Sequence, residues 1–157
     1  MRYETGRVCT AGILLLALAL VGCAPDENDV PVGEPDITEE GLTAFEMEHG
    51  IGPFITEVTL DEAVDLELAQ EGERIFQMNC EACHMMEDRF VGPPLGDVLD
   101  RRSPTFVVNF IMNPEQMARE HPEGQAMLQE YPLIMPYQNI TEDQALAILE
   151  YLRIAGD

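Results

Sequence analysis

Apolar positions fall at spacings of three and four in several stretches of the chain, and no stretch alternates apolar and polar residues long enough to mark a strand. The first such stretch holds Val64, Leu68, Gly72, Ile75 and Phe76. With Thr59 and Glu62 placed as a capping box, it predicts a helix running from Thr59 into Asn79 with one apolar stripe. Glycine on that stripe costs helix stability against alanine, so Gly72 marks a point where another element crosses closely. "SPTFVVNFIM", 103–112, predicts a helix capped by Ser103 with Pro104 in its first turn, stopping before Asn113 and Pro114. A shorter helix is predicted over Gly124 to Gln129. The last helix opens at Thr141, where Gln144 repeats the capping pattern. Its apolar face is Ala145, Ile148, Leu149 and Leu152, with Tyr151 beside it. "VGPPLGD" and "YPLIMPYQN" are proline-stiffened loops, and Gly50, Gly52 and Pro53 make "FEMEHGIGPF" read as a loop. The fold class that follows is all-α, a small helical domain with long proline-containing loops.

The uncharged run "VCTAGILLLALALVGCA" has a different character. It follows Arg2 and Arg7, and it is too short and too early for a spanning helix, so it has the form of an export signal. Its end, "LVGC", resembles a bacterial lipoprotein signal, in which Cys23 is lipidated and becomes the mature N-terminus. The alternative is an uncleaved anchor. Behind it, "APDENDVPVGEPDITEE" is acidic, proline-rich and weakly apolar, the composition of an extended tether. The expected organisation is a signal peptide over 1–22, a lipid-anchored tether over 23–58 and one folded domain over 59–157, on the periplasmic side of a bacterial membrane. Eight arginines and no lysine stand against 30 acidic residues, a formal net charge of −22. Such a surface repels nucleic acid and anionic lipid and suits a basic protein partner or a salty medium. A domain of about 100 residues has a marginal core of its own, and a large apolar group bound inside would strengthen it.

Cys9 leaves with the signal and Cys23 carries lipid, so of four cysteines only Cys80 and Cys83 belong to the folded part. They stand in "NCEACHMM" with His84 directly after them. Two thiols three positions apart can reach two vinyl groups on one face of a porphyrin while the next residue offers its imidazole to the iron. Zinc would need two more ligands, and a thioredoxin-like dithiol site would need a preceding strand; neither is visible. The reading is one haem c, covalently attached through Cys80 and Cys83 and ligated by His84. For the second axial position Met135 is the first candidate, because it lies in a loop that Pro136 can hold out toward the iron. His121 is its rival, with His49 behind it and an open site as the third possibility.

The order "CEACH", "GPPL", then "MP" before a terminal helix ending "EYL" resembles the class I cytochromes c, and it covers nearly all of 59–152. The resemblance implies a cytochrome c-like domain around its haem, with the Pro93 carbonyl bonded to the other nitrogen of His84 and Leu95 on the haem wall. It implies that the first and last helices cross through Gly72, Phe76 and Tyr151. Two features depart from the family pattern. Met85 replaces the glycine that often follows the motif histidine, and no tryptophan is present to bond a haem propionate, leaving Arg101, Arg102 or Tyr137 for that task. The arrangement "RRSPTFVVNFIMNP" followed by "YPLIMPYQNIT" resembles the lipoprotein monohaem cytochromes associated with bacterial respiratory enzymes. The implied function is single-electron transfer between respiratory redox partners and not enzymic catalysis. A fixed haem subunit of a respiratory complex is the alternative, and a gas-binding or peroxide-handling haem protein a third.

Overall fold

The computed structural model describes residues 37–39 and 41–156, so the expected signal peptide and Cys23 lie outside the described residues. Among the described residues seven helices follow one another: α1 Ala44–His49, α2 Leu66–Asn79, α3 Val98–Arg101, α4 Pro104–Met112, α5 Pro114–Glu120, α6 Pro122–Glu130 and α7 Glu142–Leu152. Among the described residues the β pairing is confined to an isolated bridge between Ile37 and Thr43, and the fold is all-α.

The α2–α7 pair is the most extensive helix contact, and it crosses at a glycine. A Cβ on Gly72 would lie 1.9 Å from the Ala147 carbonyl oxygen, so the missing side chain is what lets the two backbones meet. One turn further along both helices, Phe76 and Tyr151 pack with ring centroids 5.4 Å apart. Ile75, Val108, Ala145, Ile148 and Leu149 fill the core around the crossing.

Helix starts follow local chemistry. Thr141 accepts from the Gln144 N–H while the Gln144 side chain accepts from the Thr141 N–H, closing the capping box at α7. Ser103 accepts from the Phe106 N–H, with Pro104 opening α4. The α2 start differs from the expected one. The helix opens at Leu66, where the Asp65 carboxylate accepts from the Glu67 and Leu68 N–H groups, both at 3.0 Å. The residues ahead of it are held in a loop instead. Arg153 Nη2 donates to the Asp61 and Glu62 carbonyls at 2.7 and 3.2 Å, and Glu150, paired with Arg153 at 2.9 Å, accepts from the Asp65 N–H. The short helices α3 and α5 were not expected; α5 begins at Pro114 immediately beyond Asn113, which ends α4.

The boundary placed at residue 58 also needs correction. The last part of the segment read as tether is folded. Thr43 and Glu46 form a capping box for α1, and Leu42 and Ile51 are buried with Phe106 and Met117 in a second small cluster. Fully buried Asn109 stitches this segment to α4. Its amide N–H groups go to the His49 and Phe54 carbonyls at 3.0 and 3.1 Å, and its oxygen accepts from the Phe54 N–H at 3.0 Å. Gly52 leaves room for that side chain, since a Cβ there would lie 2.3 Å from Asn109 Oδ1.

Candidate cofactor site

A cavity of about 630 Å3 opens between α2, the loop of residues 91–97, α4, α6 and the loop after α6, with Ile148 and Leu152 of α7 behind it. Its walls are largely apolar, and its size is that of a pocket for one sizeable organic group. All six residues singled out in the sequence line it: Cys80, Cys83, His84, Pro93, Leu95 and Met135.

The motif is placed by the end of α2. Cys80 is the residue after the last helical turn, and its carbonyl accepts from both the Cys83 and the His84 N–H at 2.9 Å. That tight turn brings both thiols and the imidazole to one wall. The "GPPL" segment is then clamped alongside by backbone bonds on either side of its prolines, which have no N–H to give. Gly92 N–H donates to the Cys83 carbonyl at 2.8 Å, Leu95 N–H to Met85 at 3.0 Å and Gly96 N–H to Met86 at 2.9 Å.

With the segment so held, His84 Nδ1–H donates to the Pro93 carbonyl at 3.0 Å. This fixes the tautomer: the proton sits on Nδ1 and the lone pair on Nε2. Gly92 lies flat against the ring, where a Cβ would come within 2.4 Å of Cε1. Burial, and after it the neighbouring Cys83, pushes the Cys80 thiol up to about 11. The free Cys80 thiol is therefore not an activated thiolate. Among the described residues no group of three or more His, Cys, Asp and Glu side chains is arranged to hold a bare metal ion. Two thiols, an imidazole of fixed tautomer, a thioether and an apolar slot do fit a covalently attached iron macrocycle.

The rival histidines sit elsewhere. His121 is fully buried outside the cavity lining; its Nδ1 accepts from the Glu123 N–H at 3.1 Å, and its Nε2–H donates to the Glu46 carbonyl at 3.1 Å. His49 shares a 2.9 Å hydrogen bond with Ser103 and stands 3.4 Å from Glu57. Both histidines tie the N-terminal segment to the domain. Arg101 and Arg102 line the cavity, whereas Tyr137 does not and is 60% exposed. Arg101 already bonds Asp97 at 2.8 Å and the Pro94 carbonyl, holding the Asp97 carboxyl below its usual range; Arg102 pairs with Glu123. Sequence reasoning missed Met127, a second methionine in the lining. Its signal was faint: it follows Gly124 by three residues in a helix that feeds the Met135 loop.

A small all-helical domain that turns two thiols, an oriented imidazole and a thioether toward one apolar slot has the build of a haem-binding electron carrier. Comparison with known proteins agrees. Residues 69–155 match the cytochrome c family. Among solved structures, the chain is similar to a cytochrome c from Rhodothermus marinus, at 42% identity over 71% of this chain and 95% of that one, with a TM-score of 0.67. An engineered form of cytochrome c from the same organism gives 41% identity over 71% and 96%, with a TM-score of 0.66. The engineered form bound to a carbene intermediate gives 41% over the same shares, with a TM-score of 0.64. No curated protein gives a significant match. The chain belongs to the cytochrome c family, and its function is electron transfer.

Proposed function

We propose that the protein is a membrane-tethered monohaem electron carrier of a respiratory chain, with haem c attached through Cys80 and Cys83. When bound, the haem supplies a one-electron couple between ferric and ferrous iron. His84 would hold the iron through Nε2, while Pro93 keeps the Nδ1 proton in place and strengthens the donor. Met135, which lines the same cavity, would supply the iron with a thioether, a weak donor that favours the reduced ion. Leu95 and the apolar residues around it would limit water, and Arg101 or Arg102, both in the cavity lining, would offer a guanidinium to a haem carboxylate in place of its acidic partner. Lipid on Cys23 confines the carrier to the periplasmic surface of a membrane. The charge of −22 directs it to redox partners with basic docking surfaces.

The observation that carries this reading is the 3.0 Å bond from His84 Nδ1 to Pro93 in a cavity that Cys80, Cys83 and Met135 also line. Mass measurement of the denatured protein tests the attachment. The parent is expected to keep the mass of one haem, Cys80→Ser to keep it through a single remaining bond or lose it, and the double variant Cys80→Ser, Cys83→Ser to lose it entirely. A parent that releases its haem on denaturation contradicts the proposal. Metabolic labelling with a tagged fatty acid is expected to mark the full-length parent and not Cys23→Ser; a parent that stays unlabelled contradicts the lipid tether.

A further inference from the structure

Arg89 lies in the loop between the motif and "GPPL", outside the cavity lining, and it reaches across the rim. Its Nη1 donates to Glu130 Oε1 at 2.8 Å and its Nη2 donates to the Glu130 backbone carbonyl. The guanidinium also lies over the Tyr131 ring, 4.2 Å from the centroid. Glu130 is the last residue of α6 and Tyr131 its cap, so a cation meets the helix C-terminus where it is favoured. Both residues line the cavity and lead directly into the loop that carries Met135.

That loop has little else to hold its backbone. From Pro132 to Ile140 no backbone–backbone hydrogen bond is made to other described residues, and Asn139 sits at φ 56° before the α7 cap. Its position therefore depends on its two ends. On the opposite lip the Arg89 loop is fixed to the motif, through Gly92 N–H to Cys83 and the contact of Gly92 with His84. Arg89 thus joins the wall that holds His84 to the strand of chain that holds Met135.

We propose that Arg89 is a positioning residue, a clasp across the cavity rim that keeps the Met135 loop closed on the iron. An exposed ion pair alone contributes little. Here the ion pair, a charged hydrogen bond to a helix-terminal carbonyl and stacking on an aromatic ring coincide on one guanidinium, a fork that lysine cannot reproduce. The inference rests on the proposed ligation by Met135.

The test is carbon monoxide binding to the reduced holoprotein by rapid mixing, together with thermal loss of the long-wavelength ferric sulfur band and helix melting by circular dichroism. The gas binds only when the thioether leaves, so its association rate reads the open fraction. Arg89→Ala is expected to bind it about tenfold faster, the change that follows from about 1.4 kcal/mol lost by the closed state. The sulfur band should bleach at a lower temperature than in the parent, ahead of helix melting. Arg89→Lys is expected between the two, and Glu130→Gln, which keeps the backbone carbonyl and the ring, shows a smaller change in the same direction even where Arg89→Ala fails to fold. A parent with the band whose Arg89→Ala variant matches it in gas binding and bleaching overturns the clasp alone. A parent that lacks the band overturns the Met135 reading, and the clasp with it.

Discussion

A methyl group at position 92 would sit 2.4 Å from Cε1 and 2.8 Å from Nδ1 of His84, inside contact distance of the ring that Pro93 orients. Only a turned imidazole or a displaced backbone accommodates it. Gly92→Ala is therefore expected to destabilise the holoprotein by about 1–3 kcal/mol, the usual cost of overpacking, and to speed exchange of the His84 Nδ1 proton. Unchanged denaturant midpoint and proton resonance would contradict this. Tyr151 makes a prediction of a different sort. Burial, then the negative charges of Glu73 and Glu81, raises its phenol above the ordinary value of 10. The folded state thus prefers the neutral phenol more than the unfolded chain does. The contribution to stability is complete below the unfolded value near 10 and declines as pH rises through the higher folded value. Urea midpoints followed from neutral pH into this alkaline range should fall more steeply for the parent than for Tyr151→Phe. Parallel curves would show that Tyr151 has no part in the alkaline limb.

At the scale of elements, what was legible in the sequence is what local chemistry decides. The α4 and α7 caps and the buried glycine of α2 announce themselves because a cap needs only residues within one turn and a glycine on an apolar stripe needs a crossing partner. The start of α2 was misread because the apparent box at Thr59 and Glu62 loses to a distant competitor, Arg153, which takes the carbonyls of Asp61 and Glu62. The folded segment 42–58 was missed for a related reason. Gly50, Gly52 and Pro53 make it read as a loop, and its partner lies 55 residues from Phe54: Asn109, whose buried amide supplies the bonds the loop lacks. Asn109→Ala removes that amide and leaves the Phe54 N–H and the His49 and Phe54 carbonyls without it, at a cost of about 3 kcal/mol. Amide exchange should accelerate most at residues 50–54 and least in the α2–α7 crossing. Uniform acceleration would contradict an independent clamp.

Over the whole molecule, a small helical shell is arranged around a space that its own side chains do not fill. The candidate site was readable to the extent that it is local or ordered by chain succession. The spacing of Cys80, Cys83 and His84 is fixed within one turn, and Met135 sits in the loop before the last helix, so all of them reach the same cavity. Met127 and the Arg89 clasp were not readable, since they depend on how α6 is rotated and where it ends. The surface charge adds a consequence at this scale. With eight arginines against 30 acidic residues, association with a basic redox partner should weaken as salt shortens the reach of the field. His84 and Met135 line one cavity, and the proposed electron-transfer role needs Met135 to be the second ligand of the iron. The most direct measurement is the absorption spectrum of the ferric and reduced holoprotein and of Met135→Ala, followed through a titration with carbon monoxide. Ligation by Met135 should give a long-wavelength sulfur band in the parent that is absent in the variant, and gas binding that is rapid only in the variant. A parent without that band that binds the gas at once would contradict it.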